Sequence, residues 1–334
     1  MSQFEISKPT ADEIRMAASN PAVGWYSPYR FLARHDLRDF QAAEGVHLAA
    51  DAKSTLFTVR SGGLSVGTIS CTDNPWETEL FGRKMGVLKL LQVNLNAPSS
   101  AEAIRALIAH AIDWARQRGT ECLLCKVHTD DMWAIHALER AEFRLMDTLL
   151  DYVYDYRKNP LATIPPPKPF AGIVRPAEPN DEEQLAVLAR VAFEKHFGRY
   201  HADERLPRAR VSQVYEQWVK ASFKGWSDAM LVAEIQKRVV GISIWKNPSA
   251  VERHLPVKVG HYSLGAVHPD YAGQGIFGAL TYAGMKLYEG KIDCLEGPTH
   301  INNYPVQHGY GRLLWRIADA RHSFHRWIND RTSS

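Results

Sequence analysis

No part of the chain limits the choice of fold as strongly as Gly265-Ala266-Val267-His268-Pro269-Asp270-Tyr271-Ala272-Gly273-Gln274-Gly275-Ile276-Phe277-Gly278-Ala279-Leu280. His261 to Val267 is apolar enough for a buried strand, and Pro269 and Asp270 stop it. Gly273 and Gly275 let the backbone turn sharply with no side chain in the way. Ile276 then opens an amphipathic helix to about Gly290, carrying Leu280, Met285, Leu287 and Tyr288. Such a turn aims free backbone N–H groups and the positive end of a helix at one point, which suits a phosphate or pyrophosphate.

Glycine turns of this kind serve several ligands. A P-loop needs Lys and then Ser or Thr after its last glycine, but Ile276-Phe277 follow here. A dinucleotide fold wants G-x-G-x-x-G, which Gly273 to Gly278 satisfies by spacing, but the chain ends too soon afterwards for a doubly wound sheet. The third reading is a loop for the pyrophosphate of an acyl-CoA, and it fits the rest of the chain better. The bland alternative is an ordinary strand–helix connection.

The length of 334 residues suggests two domains, and an apolar fraction of 45% can fill two cores. Net charge is +3, with Lys and Arg scattered among acids, so no nucleic-acid footprint is present. No disulfide scaffold is implied by four cysteines. Cys122 and Cys125 form a lone C-x-x-C in a segment that reads as a buried strand, so a reduced cytosolic core is expected rather than a metal or redox site. The polar N-terminus lacks a signal-peptide apolar region and no apolar run reaches membrane-spanning length, so a cytoplasmic protein without membrane partners is expected.

Ser54–Arg60 and Leu64–Ser70 flank Ser61-Gly62-Gly63 as a hairpin, and Met85–Leu95 is a further strand. Ala101–Gly119 reads as a helix with the stripe Ile104, Leu107, Ile108, Ala111, Ile112 and Ala115. A strand at Cys122–His128, a helix at Asp131–Arg140 and a strand at Leu145–Tyr156 complete the first half. Prolines between Lys158 and Pro169 deny helix and sheet, so 158–170 is expected to be an extended linker between domains 1–157 and 171–334. The second half repeats the order: hairpin strands around Gln236-Lys237-Arg238, then strand, glycine turn, helix, strand Cys294–His300, helix Tyr304–Leu314 and strand Ile317–Trp327. A duplicated α+β unit follows, each copy a mixed, mostly antiparallel sheet flanked by helices. The aromatic segment Gly24–Phe31 suits a lid, a packed arm or a homodimer contact.

Leu264 to Tyr271, the turn, and Asn303 with Tyr310 beyond it resemble the GNAT superfamily of N-acyltransferases. Of the usual R/Q-x-x-G-x-G/A turn, Gly275 matches, while Ala272 and Phe277 depart from it. Trp76-Glu77-Thr78-Glu79-Leu80-Phe81-Gly82 resembles a segment of two-domain nucleotide-sugar acyltransferases of the TDP-fucosamine acetyltransferase type. The resemblance implies acyl-CoA (acetyl-CoA or longer) as co-substrate, no metal, and a nucleotide-linked, dTDP-type amino deoxysugar as acceptor, in polysaccharide biosynthesis. Rival readings are transfer to a peptide or small amine, or an acyl-CoA-binding module without turnover.

In that family the strand bearing Gly265, Ala266 and Val267 splays from its neighbour and holds the pantetheine arm. The amides of Gly273, Gln274, Gly275, Ile276 and Phe277 would take the pyrophosphate. The resemblance places Tyr310 as general acid to the thiolate, and Asn303 on the pantetheine or as a helix cap. Glu296 and His300 share a pleat parity and are candidates for the base. The loop Phe197, Arg199, Tyr200, His201, Arg205 is the candidate substrate site, arginine for phosphate and aromatics for a pyrimidine.

Overall fold

The computed structural model describes residues 4–19 and 27–328; residues 24–26 of the aromatic segment noted above lie outside them. Contacts divide the chain into a unit of residues 1–148, 254–256 and 320–334 and a unit of residues 149–253 and 257–319.

The first unit contains strands β1 (Glu5–Ser7), β2 (Ser54–Ser61), β3 (Leu64–Asp73), β4 (Met85–Val93) and β5 (Cys122–His128), with helices α1 (Ala11–Ser19), α2 (Arg38–Ala50), α3 (Pro75–Phe81), α4 (Ser100–Arg118) and α5 (Met132–Arg140). The strands lie in the order β1-β2-β3-β4-β5, antiparallel except for β4–β5. Local chemistry sets the ends: the Asn74 side chain accepts the Glu77 N–H to cap α3, and Gly119, at φ 67°, closes α4. The expected α4 stripe is buried, from Ile104 to Ala115, and forms the unit's core with Ile69, Leu88 and Leu138. Each buried Leu or Ile among them stabilises the unit by about 1.5–3 kcal/mol.

The second unit draws on β6 (Arg144–Asp155) and contains β7 (Ile173–Pro176), β8 (Ala229–Ile235), β9 (Arg238–Lys246), β10 (Val259–Val267) and β11 (Cys294–His300). Its helices are α6 (Glu182–Ala192), the short α7 (Arg199–Ala202) and α8 (Arg208–Val211), α9 (Val214–Ala221), α10 (Ile276–Tyr288) and α11 (Tyr304–Arg312). The order is β6-β11-β10-β9-β8-β7, and only β10–β11 is parallel. Gln236 and Lys237 both take positive φ, the mirror-image turn whose twist suits the β8–β9 hairpin.

Two features differ from the sequence reading of domains. Leu149 to Asp155 of β6 pair with β11, and Arg321 to Trp327 of β12 (Arg316–Trp327) pair with β5, so the closing strand of each half ends in the other unit. The proline-rich stretch 158–170, expected as a linker, belongs to the second unit. Leu161 and Ile164 are 2% and 4% exposed in an aromatic core with Tyr152, Tyr154, Trp245 and Trp315, and Leu161–Thr163 makes a 3-10 turn. Prolines exclude helix and ladder, but they do not prevent the apolar residues between them from finding a core. Among the described residues, no helix is long and apolar enough to cross a membrane.

Candidate active site

The site begins where β10 and β11 part. Their parallel register consists of Val259↔Cys294, Gly260↔Leu295 and His261↔Glu296. Beyond it β10 continues to Val267 and stays paired with β9 on its other side, while β11 continues to His300 against β6. A wedge opens between the two strands, with Gly265, Ala266 and Val267 along one arm.

The turn beyond β10 is built as the glycines require. The His268 side chain accepts the Asp270 N–H and caps a 3-10 turn, Pro269–Tyr271. Gly273 and Gly275 then take φ of 75° and 86°, a region costly for any residue with a Cβ. Among the described residues, the backbone N–H groups of Gly273 to Phe277 meet no acceptor of the protein's own, and Gly275 carries no side-chain cap. They stand at the positive end of the 13-residue α10.

A cleft of about 820 Å³ joins these parts. Gly273, Gly275, Ile276, Phe277 and Gly278 line one wall and Gly265 to Val267 another, whereas the exposed Gln274 does not line it. Asn303 lines it too; its side chain makes no cap bond to α11, so of the two roles expected for it the cap is not the one formed. Phe277, where the family turn carries a small residue, fits because Gly309 faces it: a Cβ there would meet the ring at 2.7 Å.

The charge of the lining was not legible in the motif. Lys168, Lys195 and Arg312 contribute to it, and among the described residues no carboxylate does. None of the three makes an ion pair among the described residues. Lys168 comes from the proline-rich stretch, whose backbone runs against the turn; a Cβ on Gly275 would lie 2.9 Å from the Lys168 carbonyl oxygen. Free amides, a helix N-terminus and unpaired cations together make a cradle for a polyanion such as a diphosphate.

Tyr310 lies behind this cleft rather than on its surface. It is 3% exposed, stacked on Trp315 at 4.8 Å and beside Tyr152 at 4.9 Å between centroids. Its hydroxyl reaches the inner end of the wedge, where a Cβ on Gly297 would lie 2.8 Å from it. Burial holds the phenol well above its ordinary pKa, so it stays protonated at neutral pH.

The two base candidates share a strand face, but neither lines the cleft. Glu296 is committed elsewhere: it receives His261 Nδ1 at 3.0 Å, while His261 Nε2 meets Glu252 at 3.1 Å. Burial opposes the charge on this imidazole, but the two carboxylates outweigh it and raise its pKa to about 10. His300 Nδ1 accepts the Asn302 N–H at 3.1 Å, which occupies its lone pair.

The expected substrate loop is divided. Lys195 and His196, at its start, line the cleft, but Phe197, Arg199, Tyr200, His201 and Arg205 do not. Phe197 is exposed beside His300, at 6.3 Å between rings. Arg199 lies over the Tyr200 ring at 4.4 Å, and His201 is depressed in pKa by burial and by Arg208.

No family model matches the sequence, and no curated protein matches it. Solved structures do match. The chain has the α+β fold of GNAT-type N-acetyltransferases, in tandem units. A GCN5-related N-acetyltransferase from Sphaerobacter thermophilus aligns with a TM-score of 0.66 at 13% identity, over 98% of this chain and 96% of that one. A tandem GNAT protein from the clavulanic acid biosynthesis pathway aligns with a TM-score of 0.58 at 15% identity, over 98% and 99%.

Proposed function

We propose that the second unit is an acyl-CoA-dependent N-acyltransferase. The observation that carries this reading is the cleft: Gly273, Gly275, Ile276 and Phe277, whose amides meet no acceptor among the described residues, line it together with three cations and, among the described residues, no carboxylate. The diphosphate of CoA would rest on those amides, with the pantetheine arm beside Gly265, Ala266 and Val267.

In the reaction, the amine nitrogen attacks the thioester carbonyl. The C–N bond forms as the C–S bond breaks, the Tyr310 hydroxyl gives its proton to the leaving thiolate, and solvent restores it. The proton lost by the attacking nitrogen goes to water, because Glu296 is bound to His261 and His300 Nδ1 holds the Asn302 N–H. Asn303 would bond the pantetheine amides.

The acceptor we assign is a nucleotide-linked amino deoxysugar of the dTDP type, supported by the Trp76–Gly82 resemblance and by the aromatic and imidazole edges of Phe197, His196 and His300. A cytoplasmic enzyme, able to form a homodimer, suits that chemistry. The test is thiol release from acetyl-CoA with dTDP-amino sugars and with peptide amines. Turnover with sugars is expected. Turnover with peptides alone would overturn the acceptor, and failure of CoA to bind would overturn the whole reading.

A further inference from the structure

Tyr262 stands where β10 leaves β11, one residue past the last parallel pair. A bulge between Tyr262 and Leu264 shifts the strand's register, so Tyr262 and Gly265 come to the same face although three residues apart. Gly265 lines the cleft, and a Cβ on it would run into the Tyr262 hydroxyl and lie 2.9 Å from its Cζ. The phenol therefore fills the side-chain space of a residue on the cleft wall. Across the wedge, a Cβ on Gly297 would lie 3.2 Å from the Tyr262 Cβ.

The ring cannot retreat. It stacks on its cross-strand partner Trp245, with centroids 4.2 Å apart and planes 10° apart. Trp245 is fully buried and lies directly against Gly284, where a Cβ would overlap its indole. The Tyr262 hydroxyl lies 3.5 Å from the Thr281 oxygen, whose own proton goes to the Phe277 carbonyl at 2.8 Å. We propose that Tyr262 is a fixed stop at the inner end of the wedge, which confines this protein to short acyl thioesters, acetyl above all. The proposal rests on the acyl-CoA reading. An acyl chain directed past Gly265 meets a phenol backed by a packed indole, and each added methylene must displace it.

Equilibrium binding tests this without turnover. Dissociation constants for CoA, acetyl-CoA and hexanoyl-CoA are measured by calorimetry on the full chain, its Tyr262→Phe and Tyr262→Ala variants, and Tyr262→Leu, which keeps more of the core filled should the alanine variant unfold. The unsubstituted protein should bind acetyl-CoA at least about tenfold tighter than hexanoyl-CoA, since a filled pocket discriminates by roughly that much or more per methylene. Tyr262→Phe should keep the ratio, because the ring does the blocking. Tyr262→Ala or Tyr262→Leu should bring the two thioesters within about twofold of each other. Equal binding of both thioesters by the unsubstituted protein would overturn the stop and leave the acyl-CoA reading standing, as would an unchanged ratio in a folded Ala or Leu variant. No binding of CoA itself would overturn both.

Discussion

Both units run strand, turn, helix and parallel strand, but their turns treat the backbone in opposite ways. In the second unit the N–H groups of Gly273 to Phe277 are left open among the described residues. In the first, the turn between β4 and α4 has no glycine and gathers three of its N–H groups: Asn96 N–H donates to the Asn94 side chain, Ala97 N–H to the Asn94 carbonyl, and Ser100 N–H to the Ala97 carbonyl. The cavity beside it, about 750 Å³, is lined by Asp130 and Asp131, with Arg30 already paired to Asp130 at 2.8 Å. One fold thus yields an open turn, suited to the anion proposed above, where glycines hold amides apart, and a more closed turn where Asn and Ser gather several of them in. Position in the fold does not make a phosphate site; unspent donors do.

The largest effect should come from closing the open turn. Gly275→Val forces a β-branched residue into φ 86° and brings its Cβ to 2.9 Å from the Lys168 carbonyl oxygen. Backbone strain of this kind is worth about 1–3 kcal/mol, so CoA affinity should fall by roughly 5- to 150-fold. Asn96→Ala, in the matching turn of the first unit, should leave CoA affinity unchanged. Calorimetric titration of both variants decides the matter, and a loss in Asn96→Ala comparable to that in Gly275→Val would break the contrast.

Next in size is Tyr310→Phe. Loss of a positioned acid should lower kcat by about 100-fold while the dissociation constant for CoA moves less than about twofold. Steady-state rates beside calorimetry separate the two. Undiminished kcat would remove the acid role and leave the cradle intact.

Much of this was written in the sequence where a local rule leaves a mark. Left-handed φ at Gly273 and Gly275 demands glycine, so the turn was legible, and the α4 stripe from Ile104 to Ala115 announced a buried face. What escaped depends on partners distant in sequence. Proline between 165 and 169 says only what the backbone cannot do, so neither the path of Lys168 across the turn nor the core burial of Ile164 could be read. Pleat parity put Glu296 and His300 on one face, but nothing local says that His261 and Glu252 wait there for Glu296. Tyr262 reads as a core aromatic until the bulge beside it sets it against Gly265.

Buried charge offers a smaller test confined to the second unit. His261 has a pKa near 10 in the folded chain, raised by Glu252 and Glu296 above the usual value of 6.5. Its contribution is therefore complete below about pH 6.5 and declines as pH climbs towards 10. His261→Gln should lower the melting temperature at pH 6.5 by roughly 3–6 °C and lose that difference near pH 10. Melting curves across that range check it, and a difference that does not vary with pH would show that the imidazolium contributes only by packing.

The smallest effects belong to the cations. Lys168, Lys195 and Arg312 line the open cleft without ion-pair partners among the described residues, but they are exposed to solvent. A solvated charge contributes about 0.2–1 kcal/mol, so each alanine variant should weaken CoA binding only about two- to fivefold. Salt supplies the sharper reading. Screening acts on exposed charges and spares fixed amide donors, so affinity of the triple variant should depend less on ionic strength than that of the parent while a measurable CoA affinity remains. If the triple variant lost binding altogether, the attraction would reside in side chains rather than in the open turn, and the contrast between the two units would have to be redrawn around Lys168, Lys195 and Arg312 instead of the amides.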